Sequence, residues 1–203
     1  MGTIKFIDQS LTPGKIVCIG KNYVAHIEEM GSPIPDDMVV FMKPASSISE
    51  TLVAYRDEAI HFEGEICLLM GDQGVAGVGF GLDLTKRATQ AKLKAAGLPW
   101  ERSKAFDGAA LFSSFVSAPT DLQTLRLELH IDGQIRQQGG SDLMMYPPAI
   151  ILSELAQFIE LAPGDIVMTG TPAGVGAVEA GQHFVGKVFA GDIELVSAEW
   201  LAS

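Results

Sequence analysis

The chain is poor in sulfur nucleophiles and in positive charge. Cys18 and Cys67 are its only cysteines, and each sits in an apolar, strand-like run. Two such positions read as buried free thiols rather than as a disulfide framework. No Cys-x-x-Cys pair is present and there are only four histidines, which argues against a zinc centre. Lys and Arg total 14 against 25 Asp and Glu, a formal net charge of −11. That balance excludes nucleic acid and an anionic membrane surface as partners. It leaves a small anionic substrate open, because a metal ion and a few local lysines can reverse the field inside one pocket. Long apolar runs are also missing. The best candidate, residues 150–161, is interrupted by Ser153, Glu154, Gln157 and Glu160, so it is too short and too polar to span a bilayer. The opening residues, Met1-Gly2-Thr3-Ile4-Lys5, have neither the layout of a signal peptide nor that of a transit peptide, and the expected location is the cytoplasm.

What is present is globular in character: 47% hydrophobic and 19% charged residues over 203 positions, enough for one well-cored domain spanning 1–203. Apolar runs predict strands at 15–20, 38–43, 59–70, 75–84 and 166–169. Residues 125–131 alternate, and Asp132-Gly133 predicts a hairpin turn into a second strand. The tail from 183 to 200 alternates as one or two closing strands. Helical spacing predicts helices at 22–30, 85–96 and 147–159, the second stopped by Gly97 and Pro99. The sum is an α+β fold, rich in short strands.

Within that pattern one constellation carries chemistry. Glu63 and Glu65 are spaced i, i+2 on a predicted strand, so both side chains point to one face, with His61 beside them. Phe62, Ile66 and Leu68 take the other face. A buried carboxylate pair needs a proton or a cation between its members. A hard divalent cation with oxygen ligands, Mg²⁺ above Mn²⁺ or Ca²⁺, fits such a pair. The competing reading is an edge strand whose acidic face meets water. Asp83, at the end of a strand-like run and just before a helix, suits either a third ligand or a helix cap.

The ordered motifs are similar to those of the fumarylacetoacetate hydrolase family, in particular its small acylpyruvate hydrolases and oxaloacetate decarboxylases or tautomerases. They are Gly20-Lys21-Asn22-Tyr23 with His26 and Glu29; Phe41-Met42-Lys43-Pro44; His61-Phe62-Glu63-Gly64-Glu65; Leu82-Asp83-Leu84-Thr85 with Arg87 and Gln90; Gly97-Leu98-Pro99-Trp100 with Lys104; Arg136 to Gly139; and Gly164-Asp165 leading into Thr169-Gly170-Thr171-Pro172. The resemblance implies a mixed β-roll or sandwich with short flanking helices, usually a homodimer. It implies Mg²⁺, or Mn²⁺, on Glu63, Glu65 and Asp83. It implies a His26–Glu29 dyad that activates water, Lys104 supporting developing negative charge, and substrate contacts from Lys21, Asn22, Lys43, Gln90 and Thr171. The chain departs from the pattern at His61-Phe62, where two histidines are usual, at Ala88, where an aspartate is common, and at Ser141 to Met144.

The reaction this implies is Mg²⁺-dependent hydrolysis of a C–C bond in small 2,4-diketo acids, acylpyruvates such as fumarylpyruvate or acetylpyruvate, through a metal-bound pyruvate enolate. Oxaloacetate decarboxylation or keto–enol tautomerisation on the same site is the alternative. A non-catalytic binding domain is the further one. Residues 170–176 are no nucleotide loop, because the Gly-Lys-Ser/Thr ending is missing. Their backbone N–H groups, with Thr171, suit contact with a carboxylate. The enzyme and binding-domain readings separate in a thermal melt. Saturating Mg²⁺ is expected to raise the melting temperature and chelator to lower it, since a native-state ligand stabilises by mass action. Identical melts would count against the metal.

Overall fold

The computed structural model describes residues 2–203. Two sheets carry the fold. The larger runs in the order Ala110–Phe112, Gly74–Asp83, Gly64–Gly71, Ile166–Met168, Ile16–Gly20, Val39–Lys43, with Val116–Ser117 pairing on Gly74–Asp83 as well. Ile166–Met168 runs parallel to Ile16–Gly20 and antiparallel to Gly64–Gly71. The smaller sheet is antiparallel throughout, in the order Gln134–Gly140, Leu125–Ile131, His183–Ala190, Ile193–Leu201. Four short helices flank them: α1 (Val24–Glu29), α2 (Arg87–Ala95), α3 (Glu101–Lys104) and α4 (Pro148–Leu155). This is the mixed α+β fold that the motifs imply.

The alternation of each strand decides where the core sits. Ile66, Leu68, Val78, Phe80 and Leu82 of the larger sheet pack against Leu127, Leu129, Phe184 and Val188 of the smaller one. The opposite face, with Cys18, Cys67, Leu69 and Met168, forms a second apolar cluster with Ile4 of the N-terminal hairpin. The strand Gly64–Gly71 is therefore buried on both faces, as a central strand in a two-layer core must be. The sheets meet most closely at Gly186, where an added Cβ would lie 2.3 Å from the Phe80 ring.

Several predicted boundaries move. The single strand expected over 59–70 is two, Glu58–Phe62 and Gly64–Gly71, and they belong to different sheets. Glu58–Phe62 pairs with Thr85–Lys86 and Gly176–Ala177, so the chain changes sheets at Glu63. The helix expected from 85 starts at Arg87, because Thr85 and Lys86 are used in that pairing. The helix expected over 147–159 stops at Leu155. α3 and the strands Ile4–Phe6 and Gln9–Leu11 fall outside the predicted elements; each is only three or four residues long, too short for periodicity to show. The hairpin at Asp132-Gly133 is present, with both residues at positive φ (52° and 78°), as a two-residue loop of this kind requires.

Gly186→Ala is expected to destabilise the protein by about 1–3 kcal/mol, the usual cost of overpacking a filled core. Denaturant unfolding of the two proteins checks it, and equal midpoints would show that the sheets tolerate a wider spacing.

Candidate functional site

The change of sheets at Glu63 builds the site. Gly64 and Glu65 pair with Leu82 and Gly81, which brings the end of the Gly74–Asp83 strand alongside. Asp83 N–H donates to Glu63 O at 2.8 Å. As a result one carboxylate oxygen from each of Glu63, Glu65 and Asp83 lies within 4.8 Å of the others, and all three residues are buried. The solvated edge strand is thereby overturned. Asp83 is not a cap either, since α2 begins from Lys86 without a side-chain cap. His61, expected on the same face, lies half-buried outside the cluster. The two glutamates converge because the backbone breaks between strands at Glu63, not because they lie on one regular strand.

Cations surround these acids. Lys104 Nζ donates to Glu63 Oε2 at 3.0 Å, Asp83 Oδ2 at 2.6 Å and Thr85 Oγ1 at 2.7 Å. Lys43 Nζ, fully buried, lies 2.8 Å from Asp83 Oδ1 and donates to the carbonyls of Leu84 and Lys104. Arg87 places Nη2 2.6 Å from Glu63 Oε1 and Nη1 2.8 Å from Gln90 Oε1. Burial works to raise the Glu63 pKa, but Lys104 and Arg87 outweigh it and hold the carboxyl well below its usual range. Burial works to lower the Lys104 pKa, and Asp83 and Glu63 more than offset it. Glu65 has no such partner. Burial, Asp83 and Glu63 all push its pKa up, against a hydrogen bond from Gly170 N–H at 2.7 Å and the charge of Lys104.

A divalent cation fits this donor set. Asp83 Oδ1 is buried and, despite its nearness to Lys43, accepts no well-directed hydrogen bond. Glu65 sits among carboxylates without a cation of its own. A hard ion taking oxygen from each acid would relieve both, as oxygen-ligated Mg²⁺, Mn²⁺ or Ca²⁺ sites do.

Glu63 lies in the wall of a narrow cleft that opens to solvent. His26 and Gln90 line it, together with four cations, Lys21, Arg87, Lys94 and Lys104. A chain of net charge −11 thus turns a positive wall to one cleft. His26 Nδ1 is 3.5 Å from Glu29 Oε2. Glu29 is held in turn by Gly174 N–H, at 3.0 and 3.1 Å to its two oxygens. Gly174 has φ 102°, and a Cβ there would lie 2.1 Å from Arg136 O, so this contact requires glycine. Burial lowers the His26 pKa, although Glu63 and Glu29 pull the other way. The imidazole is therefore neutral near pH 7.

Not every residue expected to touch substrate reaches the cleft. Asn22 spends its amide on Tyr146 and Thr169: Nδ2 donates to both carbonyls and Oδ1 accepts from Tyr146 N–H. Thr171 donates to Gly64 O and accepts from Gln137, bracing the glutamate strand. Lys43 lies beneath the cleft, against Asp83. The 170–176 loop does meet carboxylates through its N–H groups, but they are the protein's own, Glu65 and Glu29. Arg87 and Lys94 received no role from sequence. They lie with Gln90 at 87, 90 and 94, a polar stripe on one face of α2 that helical spacing could have exposed. Ala88 leaves the first turn of α2 without an acid, and the Glu58 carboxylate accepts from Thr89 N–H instead, at 3.1 and 3.2 Å.

Buried Glu-x-Glu and Asp carboxylates beside a cationic cleft, in a two-sheet α+β fold, mark a candidate active site whose acidic cluster could hold a metal ion. The chain belongs to the fumarylacetoacetate hydrolase family: residues 15–200 match the family described as Fumarylacetoacetate (FAA) hydrolase C-terminal. It is 38% identical over 187 residues to the oxaloacetate tautomerase YcgM of Escherichia coli (strain K12), covering 83% of this chain and 85% of that one. A crystal structure from Oleispira antarctica, provisionally called a fumarylacetoacetate isomerase/hydrolase, superposes with TM-score 0.95 at 35% identity over the whole of both chains. The fumarylpyruvate hydrolase of Pseudomonas aeruginosa, solved with Mn²⁺ and pyruvate, superposes with TM-score 0.86 at 32% identity over 99% of this chain and 96% of that one. No helix of the described residues is long and apolar enough to cross a membrane.

Lys104 donates to two of the carboxylates that would hold a cation, so the size of the effect of removing it depends on metal. Lys104→Met is expected to cost about 3–5 kcal/mol without metal, by stranding buried acids. It should gain more stability from Mn²⁺ than the unmodified protein does. Denaturant midpoints with and without Mn²⁺ check this, and an equal gain in both proteins would mean that the ammonium and the cation do not meet.

Proposed function

We propose that this chain interconverts the keto and enol forms of oxaloacetate. The observation that carries the reading is a neutral, buried His26 facing a cleft with cationic walls, with Glu63 of the three converging carboxylates in its lining. Oxaloacetate is a dianion, and Lys21, Arg87 and Lys94 supply the charge to hold it, while Gln90 offers an amide. Going from keto to enol, C3 loses a proton and the 2-oxo oxygen gains one; no other bond to carbon breaks. His26 is the group placed to take and return that proton, with Nδ1 turned to Glu29 and Nε2 free. Lys104 brings a fixed positive charge to the foot of the cleft, where the oxygen turns negative. A divalent cation on Glu63, Glu65 and Asp83, Mg²⁺ or Mn²⁺, supplies Lewis-acid stabilisation of the same charge when bound. The name of the Escherichia coli relative supports this reading.

Hydrolysis of acylpyruvates, placed first on sequence grounds, now stands second. It is favoured by the likeness to the Pseudomonas aeruginosa enzyme and by the presence of the His26–Glu29 pair. Water activation asks for a tight dyad, whereas Glu29 is held by Gly174 and stands 3.5 Å from His26. Tautomerisation needs a base but no attacking water. Assembly as a homodimer belongs to the same proposal and rests on the family resemblance.

Decay of enol-oxaloacetate absorbance with Mg²⁺, beside cleavage of fumarylpyruvate, tests the order. Accelerated enol decay is expected. In Glu29→Gln any hydrolysis should fall by about 10²-fold or more, the usual worth of a general base, while tautomerisation falls less than about tenfold. Equal losses would show that Glu29 serves both reactions alike, and no enol decay above the Mg²⁺ background would sink the reading.

A further inference from the structure

Two of the four cleft cations are tied down: Lys104 holds Glu63 and Asp83, and Arg87 holds Glu63 and Gln90. The other two are not. Lys21 Nζ donates only to the carbonyl of Pro33, at 3.2 Å, and Lys94 enters no ion pair among the described residues. The Lys94 ammonium instead lies over the Trp100 ring, 4.9 Å from its centroid, and Trp100 lines the same cleft. Trp100 precedes α3, and Lys94 sits in the last turn of α2, so both stand on short helices rather than on a free loop. Lys21 is held in the left-handed region at φ 57°, a conformation that costs a non-glycine residue of order 1 kcal/mol and is kept where the surroundings enforce it. Two like charges thus face one cleft without an anion between them. The affinity of Lys94 for its proton is lowered first by partial desolvation and then by the charges of Lys21 and Arg87.

The arrangement has a direction. Glu63 and Lys104 are buried at the foot; Lys94 is exposed at the mouth and Lys21 half-buried beside it. A 2-oxo acid whose reacting end meets the foot turns any second carboxylate outward, toward this pair. We propose that Lys94, with Lys21, forms a subsite for the distal carboxylate of the substrate, which makes the enzyme selective for dicarboxylic over monocarboxylic 2-oxo acids. The inference rests on the keto-acid reading above and assigns a task to Lys94 that the reading does not require.

Trp100 provides a direct readout, because the only other tryptophan, Trp200, is packed in the core against Phe80. Binding of oxaloacetate and of pyruvate is followed by tryptophan emission with saturating Mg²⁺, in the unmodified protein, Lys94→Met, Lys94→Arg and Lys92→Met. Lys92 is an exposed lysine of the same helix that does not line the cleft, so its variant carries the same change in net charge. Oxaloacetate affinity is expected to fall roughly tenfold in Lys94→Met, the scale of one ion pair at a wetted cleft mouth. It should return most of the way in Lys94→Arg and stay within about twofold in Lys92→Met. Pyruvate affinity should stay within about twofold in all four proteins, because pyruvate has no distal carboxylate. Unchanged oxaloacetate affinity in Lys94→Met, or a parallel loss of oxaloacetate and pyruvate, overturns the subsite and leaves the keto-acid reading standing. An unmodified protein that binds neither acid overturns both.

Discussion

Three carboxylates held within a few ångströms inside a protein repel one another, and the rest of this structure answers that repulsion. Two buried lysines approach from beneath and beside, an arginine from α2 takes the outer oxygen of Glu63, and a backbone N–H from the 170–176 loop meets Glu65. The compensation is uneven. Glu63 is held as an anion by two cations, while Glu65 is pushed toward its neutral form by burial and by the acids beside it. An arrangement that leaves one acid short of positive charge and one buried oxygen of Asp83 without a well-directed donor is poised to take up a cation.

The sheets exist in this form to hold that arrangement still. The strand carrying Glu65 is covered on both faces, so its position is fixed by packing above and below. The residues that might have been spent on substrate, Asn22 and Thr171, stitch the neighbouring loops to this strand instead. Only on the side of α1, α2 and α3 is the cluster left without a sheet above it, and there the cleft opens. Short helices suit that place: α2 presents Arg87, Gln90 and Lys94 to the cleft, α1 presents His26 and α3 Lys104, without adding another apolar layer.

The same geometry gives an acidic protein one cationic cleft. The net charge of −11 is spread over the surface, while four cations converge on one concave wall where their field is less screened. The foot of the cleft is rigid and paired, the mouth is open and unpaired.

The sequence by itself determined most of the elements and the identity of the acids. Alternation at 125–131, the Asp132-Gly133 turn and the apolar runs at 16–20 and 39–43 are local patterns, and local patterns survive into the fold. Glu63, Glu65 and Asp83 were legible as a set because ordered motifs preserve spacing. Tertiary structure alone decided how they meet. A period of two cannot show that a strand leaves one sheet for another at Glu63, because both halves alternate in the same way. Nor can it show which hydroxyl or amide is consumed by a neighbour 100 residues away, as Thr171 and Asn22 are. Hydrogen-bond partners and burial are properties of distant contacts, and those separated the residues that brace the site from those that face the cleft.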